Sequence, residues 1–348
     1  MEKVRLQYID LLKTASILAI ISIHFFAMWQ TAEITNLNIY SFVSISRFGV
    51  PVFIMITGAL LLNREIKIGD FLKRKGKRLI YPFIFYYLLS AFVIVVLLNS
   101  NSSQITNIFS FRWYFWMILG VYLSIPIINK FIQHSTTNEI RYFIALFVFA
   151  SIFYQITYYF KVEQYFNLTL FISPLGYLVL GYYLSQKKFN LPTNKLISIS
   201  LILFIATTCI KIISLMGMIP MVENFFTSAF LSSYLDVGFF EILQASSFFV
   251  LCKSIYESTS GPYSKIKEFL SSKIILRFIT SVSRASYGMY MINLIPTSIY
   301  FYIKNIPLSG TQTILAILSL SFLTFFISWI AVLLINRIPF IKNASGYL

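Results

Sequence analysis

One histidine in a mainly apolar stretch raises the chemical question in this 348-residue chain, since Asp10, Lys13 and His24 are the ionisable residues of the segment 9–29. An imidazole with an ordinary pKa of ~6.5 is the natural side chain for taking a proton from a hydroxyl. Inside an apolar helix it must meet a partner, water or a substrate, because ionisable groups at helix centres cost at least ~2.5–3.5 kcal/mol by insertion scales. At 100° per residue, His24 lies about 20° from Lys13 and about 40° from Asp10, so all three share one helix face. Lys13 and His24 are then about 16 Å apart along it. Asp10 and Lys13, three residues apart, pair either as a snorkelling anchor at the helix end or as part of a site.

Arg47 opens a second apolar segment and sits at a depth comparable to His24, where a guanidinium either stabilises an oxyanion or snorkels to the surface. Pro51 and Gly58 in that segment allow a kink or close packing. The run FLKRKGKRLIYP brings together Lys73, Arg74, Lys75, Lys77 and Arg78. Such a run either grips a polyanion or serves as a topology signal and lipid-headgroup patch. Lys211 could neutralise Asp236 or Glu241, and an ion pair is expected for Asp236, leaving Glu241 as a substrate-contacting group. Arg112, Trp113 and Tyr114 read as an aromatic belt or as a sugar-stacking cluster. His134, in a polar stretch, carries no such signal, and Cys209 and Cys252 are too few and too apolar in setting for a disulfide framework or cysteine metal site.

The elements that must position these groups follow from composition: 58% hydrophobic and 11% charged residues, with 36 Phe and 23 Tyr, describe a chain whose solvent is lipid. Segments near 9–29, 41–63, 79–98, 112–128, 141–160, 167–185, 196–215, 233–252, 281–303 and 313–335 approach the ~20 residues a membrane helix needs. The expectation is an all-α, polytopic bundle of about ten transmembrane helices forming a single domain over residues 1–348. The first segment reads as a retained helix, because its charges interrupt the core of a signal peptide. Basic residues crowd one side: Lys3 and Arg5, the run Arg64 to Arg78, Lys130 and Arg141, Lys187 to Lys195, Lys253 to Arg277, and Arg337 with Lys342. Lys161 and Lys304 alone fall in loops of the other side, which places both termini in the cytoplasm. The net charge of +16 is thus an orientation signal and calls for no nucleic-acid partner.

Four stretches together resemble membrane acyltransferase family 3, bacterial enzymes that O-acylate cell-envelope glycans. They are YIDLLKTASILAIISIH with Asp10 and His24, SRFGVPVFIMITGALLL with Arg47, KRKGKRLIYPF with Arg78, and SRASYGMYMIN ending at Asn293. RWYFWMILGVYLSIPII and LGYLVLGYYLS look like the family's fourth and sixth helices. Three positions depart from the family pattern: Lys13 stands where relatives carry Arg, Lys75 with Arg78 replaces an Arg pair, and Asn293 replaces a histidine. Asn293 therefore supplies neither acid nor base.

The resemblance implies an O-acyltransferase in the bacterial cytoplasmic membrane that takes an acyl group, commonly acetyl, from cytoplasmic acyl-CoA. The acceptor is a hydroxyl of an extracytoplasmic saccharide or lipid-linked glycan. His24, Lys13, Asp10 and Arg47 form the implied catalytic set, and Arg74, Lys75, Lys77 and Arg78 the donor-binding set. Arg112, Trp113, Tyr114, Glu241 and Asn293 form the acceptor-binding set. No permanently bound cofactor or metal is expected; acyl-CoA is the co-substrate, membrane lipids surround the chain, and a homo-oligomer or separate envelope partner stays open. The alternatives are a transporter or flippase of an anionic envelope precursor, with His24, Arg47 and Glu241 lining its path, and a non-enzymatic membrane sensor.

Overall fold

A computed structural model describes residues 6–30, 43–93, 113–160, 162, 168, 172–215, 238–259, 261–303 and 311–347. The described chain is helical throughout: α1 (Gln7–Gln30), α2 (Gly49–Leu61), α3 (Ile68–Phe92), α4 (Trp113–His134), α5 (Thr137–Tyr159) and α6 (Pro174–Gln186) are followed by α7 (Thr193–Leu215) and α8 (Phe239–Glu257). Then come α9 (Pro262–Leu270), α10 (Lys273–Ile292), α11 (Leu294–Ile303), α12 (Thr311–Arg337) and a short 3₁₀ turn at Lys342–Ala344. Among the described residues, seven helices are long and apolar enough to cross a membrane: α1, the stretch Val43–Leu61 that includes α2, α4, α5, α7, α8 and α12.

The three other expected segments are helices of a different character. α3 starts at Ile68, so the basic run is its first half and not a loop before it. α6 has 13 residues, starting at Ser173, whose hydroxyl accepts from the Leu175 amide, and at Pro174, which suits a first helical turn. Segment 281–303, expected to be one helix, is interrupted at Asn293. Pro296 has no amide hydrogen for the Ile292 carbonyl, which breaks the ladder there. By the same chemistry Pro51 cannot donate to Arg47, and the stretch Val43–Leu61 turns at Arg47–Phe48 before continuing as α2.

Helix α1 is the centre of the bundle, packing on α2, α8, α10 and α12. Its Leu12, Ile17, Ile21 and Phe25 are fully buried, which is how an apolar helix can still carry Asp10 and His24 inward. Helices α7 and α12 turn Ile202, Ile205, Leu323 and Ile330 outward, as lipid-facing surfaces do.

The closest helix approach is between α2 and α6. A Cβ added at Gly58 would collide with the Leu178 carbonyl, and one at Gly181 with the Met55 backbone, so these two glycines let the helices meet main chain to main chain. We expect Gly58→Leu and Gly181→Leu each to lower the thermal unfolding midpoint in detergent markedly, since backbone cannot swing aside and overpacking typically costs ~1–3 kcal/mol or more. Gly120→Ala, where an added Cβ meets nothing, is the control and should leave the midpoint in place. Equal midpoints for all three variants would refute this packing.

Candidate active site

The helix face predicted to carry Asp10 and His24 is the face that α10 covers. At one end the Ser283 hydroxyl donates to Asp10 Oδ1 at 2.5 Å, and the Thr14 hydroxyl reaches the Ile279 carbonyl at 3.2 Å. Farther along, His24 Nδ1 lies 2.6 Å from Asn293 Oδ1. Contacts that advance together on both helices make α1 and α10 parallel. Asp10 is 4% exposed, His24 9% and Asn293 0%, so lipid and bulk water are largely kept from all three.

The network around Asn293 fixes the histidine tautomer. The Asn293 amide nitrogen donates to the carbonyls of Tyr290 and Met289 at 2.6 and 3.2 Å, and carbonyls can only accept. The amide oxygen must therefore be the atom facing His24, so Nδ1 carries the hydrogen and a neutral ring holds its lone pair on Nε2. This is the relation of a general base to its orienting group, with a neutral amide in the orienting role. Asn293, expected to contact acceptor, is committed to His24 and to its own helix. We expect Asn293→Ala to lower kcat about tenfold with donor KM unchanged, and Asn293→Asp, which keeps an acceptor for Nδ1–H, to recover part of the loss. An unchanged kcat in the alanine variant would show that the bond does not orient the ring.

A cavity of about 720 Å³ opens beside this seam, within the ~300–1,000 Å³ usual for ligand sites. It gathers Lys13 from α1, Arg64 from the α2–α3 connection, Lys75 and Arg78 from α3, and Arg284 from α10, against one carboxylate among the described lining residues, Asp10. Five cations to one acid give its lining a strongly positive balance. Phe53, Ile56 and Leu60 of α2 give it an apolar wall, and Tyr114, Tyr122, Tyr287 and Tyr290 line it as well. Tyr290 joins the cavity to the histidine: its ring centroid is 4.7 Å from that of Tyr114 and 6.0 Å from that of His24.

Not every expected residue gathers here. The i, i+3 spacing puts Lys75, half-buried, and Arg78, exposed, on the cavity side of α3, while the exposed Arg74 and Lys77 do not line it, Arg74 Nε donating to the Asp70 main-chain carbonyl at 3.2 Å. Arg47 is half-buried at the turn before α2 and does not line the cavity. Tyr114 lines the cavity, with Trp113 edge-on to it at 6.2 Å, so part of the expected acceptor cluster faces the donor-type site. Arg112 and Asp236 lie outside the described residues.

Glu241, expected as a substrate contact, is instead in a buried ion pair with Lys211 at 3.4 Å. Lys211 also donates to Gln244 Oε1 at 2.7 Å, and the Gln244 amide donates to the Thr208 hydroxyl at 2.8 Å and the Ser44 carbonyl at 3.0 Å. The network ties α7 and α8 to the turn that carries Arg47. Arg64, Arg284, Tyr122, Tyr287 and Tyr290 were not anticipated in the site. Arg284 had the available signal, a charge within an apolar segment, with Tyr287 at i+3 on the same face.

Comparison with known families matches residues 6–333 to the family described as an acyltransferase domain, the one resembled by the four stretches above. The chain belongs to that family. No curated protein and no solved structure matches it. This acyltransferase, with several apolar helices long enough to span a bilayer, is a multi-pass membrane protein. Its His24–Asn293 pair leaves the imidazole a defined lone pair, and Tyr290 stands between that ring and the basic cavity.

Proposed function

We propose that this chain is a membrane O-acyltransferase that moves an acyl group, acetyl by preference, from cytoplasmic acyl-CoA to a hydroxyl of an extracytoplasmic saccharide or lipid-linked glycan. The observation that carries this reading is the cavity lined by five cations and by Tyr290, whose ring centroid stands 6.0 Å from that of His24. Lys75 and Arg78 hold the phosphates of the donor, and the α2 wall takes its apolar arm. The thioester passes Tyr290 to reach the imidazole. His24 Nε2 then accepts the acceptor's hydroxyl proton as the oxygen attacks the thioester carbon, Arg47 steadies the tetrahedral oxyanion, and Lys13 organises the inner half of the path. On collapse the C–S bond breaks, and the leaving thiolate takes the proton from the imidazolium. A relay in which His24 carries the acyl group uses the same residues. Asp10, bonded to Ser283, sets the inner end of α1 against α10. On the outer side Arg112 and Trp113 stack and hold the sugar.

In this reading the chain crosses the bacterial cytoplasmic membrane about ten times with both termini inside, the arrangement favoured by the one-sided distribution of Lys and Arg. The decisive experiment reconstitutes the full chain in sealed vesicles with labelled acetyl-CoA. Thioester cleavage or label transfer is expected only when the donor meets the face carrying Lys75 and Arg78. Cleavage from the opposite face would reverse the orientation, and silence from both faces with every glycan acceptor would overturn the enzymatic reading.

A further inference from the structure

A second basic recess, of about 620 Å³, lies at the adjoining ends of α5 and α6 and in the connection to α7, and shares no lining residue with the cavity beside His24. Arg141, Lys187 and Lys188 bring three cations to it, and among the described residues no carboxylate lines it. The nearby acids are engaged elsewhere: Glu139 accepts from the Thr136 amide and hydroxyl at 2.6 and 2.8 Å, and Glu257 faces Lys253 at 3.7 Å. Aromatic groups hold the cations in place without neutralising them. Arg141 Nε donates to the Tyr183 hydroxyl at 3.1 Å, and Lys187 Nζ stands 5.2 Å from the ring centroids of both Tyr183 and Phe189. Behind them the buried Lys253 ammonium donates to the carbonyls of Leu184, Ser185 and Lys187 at 3.0, 2.9 and 2.9 Å, fixing the backbone from which Lys187 projects.

From Arg141 an apolar groove of about 410 Å³ continues along α5 past Ile144, Ala145, Val148, Phe149 and Ile152, with Tyr183 on its side. These positions recur at three and four residues, so they form one stripe, about 16 Å long, on a helix apolar and long enough to span a bilayer. Recess and groove meet at Arg141 and Tyr183. A cationic head compartment continuous with an apolar channel on a membrane-length helix has the shape and charge of one ligand class.

We propose that this site binds an anionic phospholipid, its phosphate between Arg141, Lys187 and Lys188 and one acyl chain along the α5 groove. Guanidinium and ammonium groups without acidic partners favour a phosphate over a zwitterionic head, whose positive end they repel. The apolar stripe distinguishes a lipid from a free anion.

The test uses the full chain in detergent, titrated with dioleoyl-phosphatidylglycerol or dioleoyl-phosphatidylcholine and read by native mass spectrometry. Phosphatidylglycerol should be retained at least tenfold better than phosphatidylcholine. Each basic residue near an anionic surface contributes about fivefold, so the paired change Lys187→Gln and Lys188→Gln should weaken retention about 25-fold. Ala145→Trp, which fills the groove at an exposed position, should weaken it too. The pair Lys265→Gln and Lys273→Gln on α9 and α10 should have no effect. Equal retention of the two lipids, or an equal loss in the control pair, would overturn the proposal. So would displacement of phosphatidylglycerol by millimolar inorganic phosphate together with unchanged binding in Ala145→Trp, which would make the recess a site for free phosphate.

Discussion

His24→Ala is expected to abolish acyl transfer while leaving a folded, inserted protein. Removing the buried imidazole takes a polar group out of α1 and leaves Asn293 Oδ1 without that donor, a cost of about 1–3 kcal/mol, while Asn293 keeps its two bonds to the Met289 and Tyr290 carbonyls and the α1–α10 seam keeps Asp10–Ser283. General base catalysis is worth roughly 10²–10⁴-fold and loss of a nucleophile can cost more, so residual turnover should be at or below the percent level. His24→Gln separates chemistry from packing, because glutamine can hydrogen-bond to Asn293 but is not basic at neutral pH. It should fail nearly as badly as alanine in a donor-to-acceptor assay, with an unchanged size-exclusion profile. Near-parental turnover in the glutamine variant would make His24 a structural residue and withdraw the catalytic assignment on α1.

The second large effect is expected at the basic face of α3. Replacing Lys75 and Arg78 together by alanine removes two of the five cations of the cavity and should raise donor KM about 100-fold, since charge-assisted hydrogen bonds contribute about 1.5–3 kcal/mol each before solvent screening. Turnover at saturating donor should change far less, because neither side chain is placed at the reacting atoms. Arg74→Ala with Lys77→Ala is the matched control on the exposed side of the same helix and should alter KM little. If the control pair raises KM as much as the cavity pair, general surface charge holds the donor and the cavity is not its site.

These two experiments rest on residues that differ in how openly the sequence announced them. Asp10 and His24 were legible because helical periodicity is local: a turn of 100° per residue placed them on one face before the partner of that face was known. What that face meets was not legible. Ser283 and Asn293 are more than 260 positions away, and nothing in a single sequence fixes such a pairing. Asn293 was obscured further because its segment read as a continuous apolar helix, whereas Pro296 interrupts it and turns the asparagine amide toward α1. Lys75 and Arg78 stood out as the counterpart of the family's Arg pair, but Arg74 and Lys77 were grouped with them because the run was read as a loop before the third helix; inside α3 only the first two line the cavity. The Lys211–Glu241 pair was open in the sequence for a related reason: Lys211 had two candidate acids, and whether Glu241 reaches it depends on how α7 and α8 stand together. The basic cavity needed all of these tertiary facts at once, since its cations come from α1, α3, α10 and the α2–α3 connection.

The main-chain contact at Gly58 and Gly181 limits how a donor can enter. With no side chains between them to yield, α2 and α6 shift only as a pair, so the apolar wall of Phe53, Ile56 and Leu60 is anchored to two helices at once. The opposite wall is attached differently. Tyr287 grips α3 at the Leu79 carbonyl at 2.9 Å, one turn before Pro82, and Tyr86, one turn after it, fastens the helix to the Ser345 carbonyl at 2.8 Å. Toward the start of α3 the buried Phe71 stacks on Tyr122 of α4 with ring centroids 6.3 Å apart. Lys75 and Arg78 therefore stand between an aromatic contact with α4 and the Tyr287 bond from α10, so the position of these charges answers to both of those helices at once.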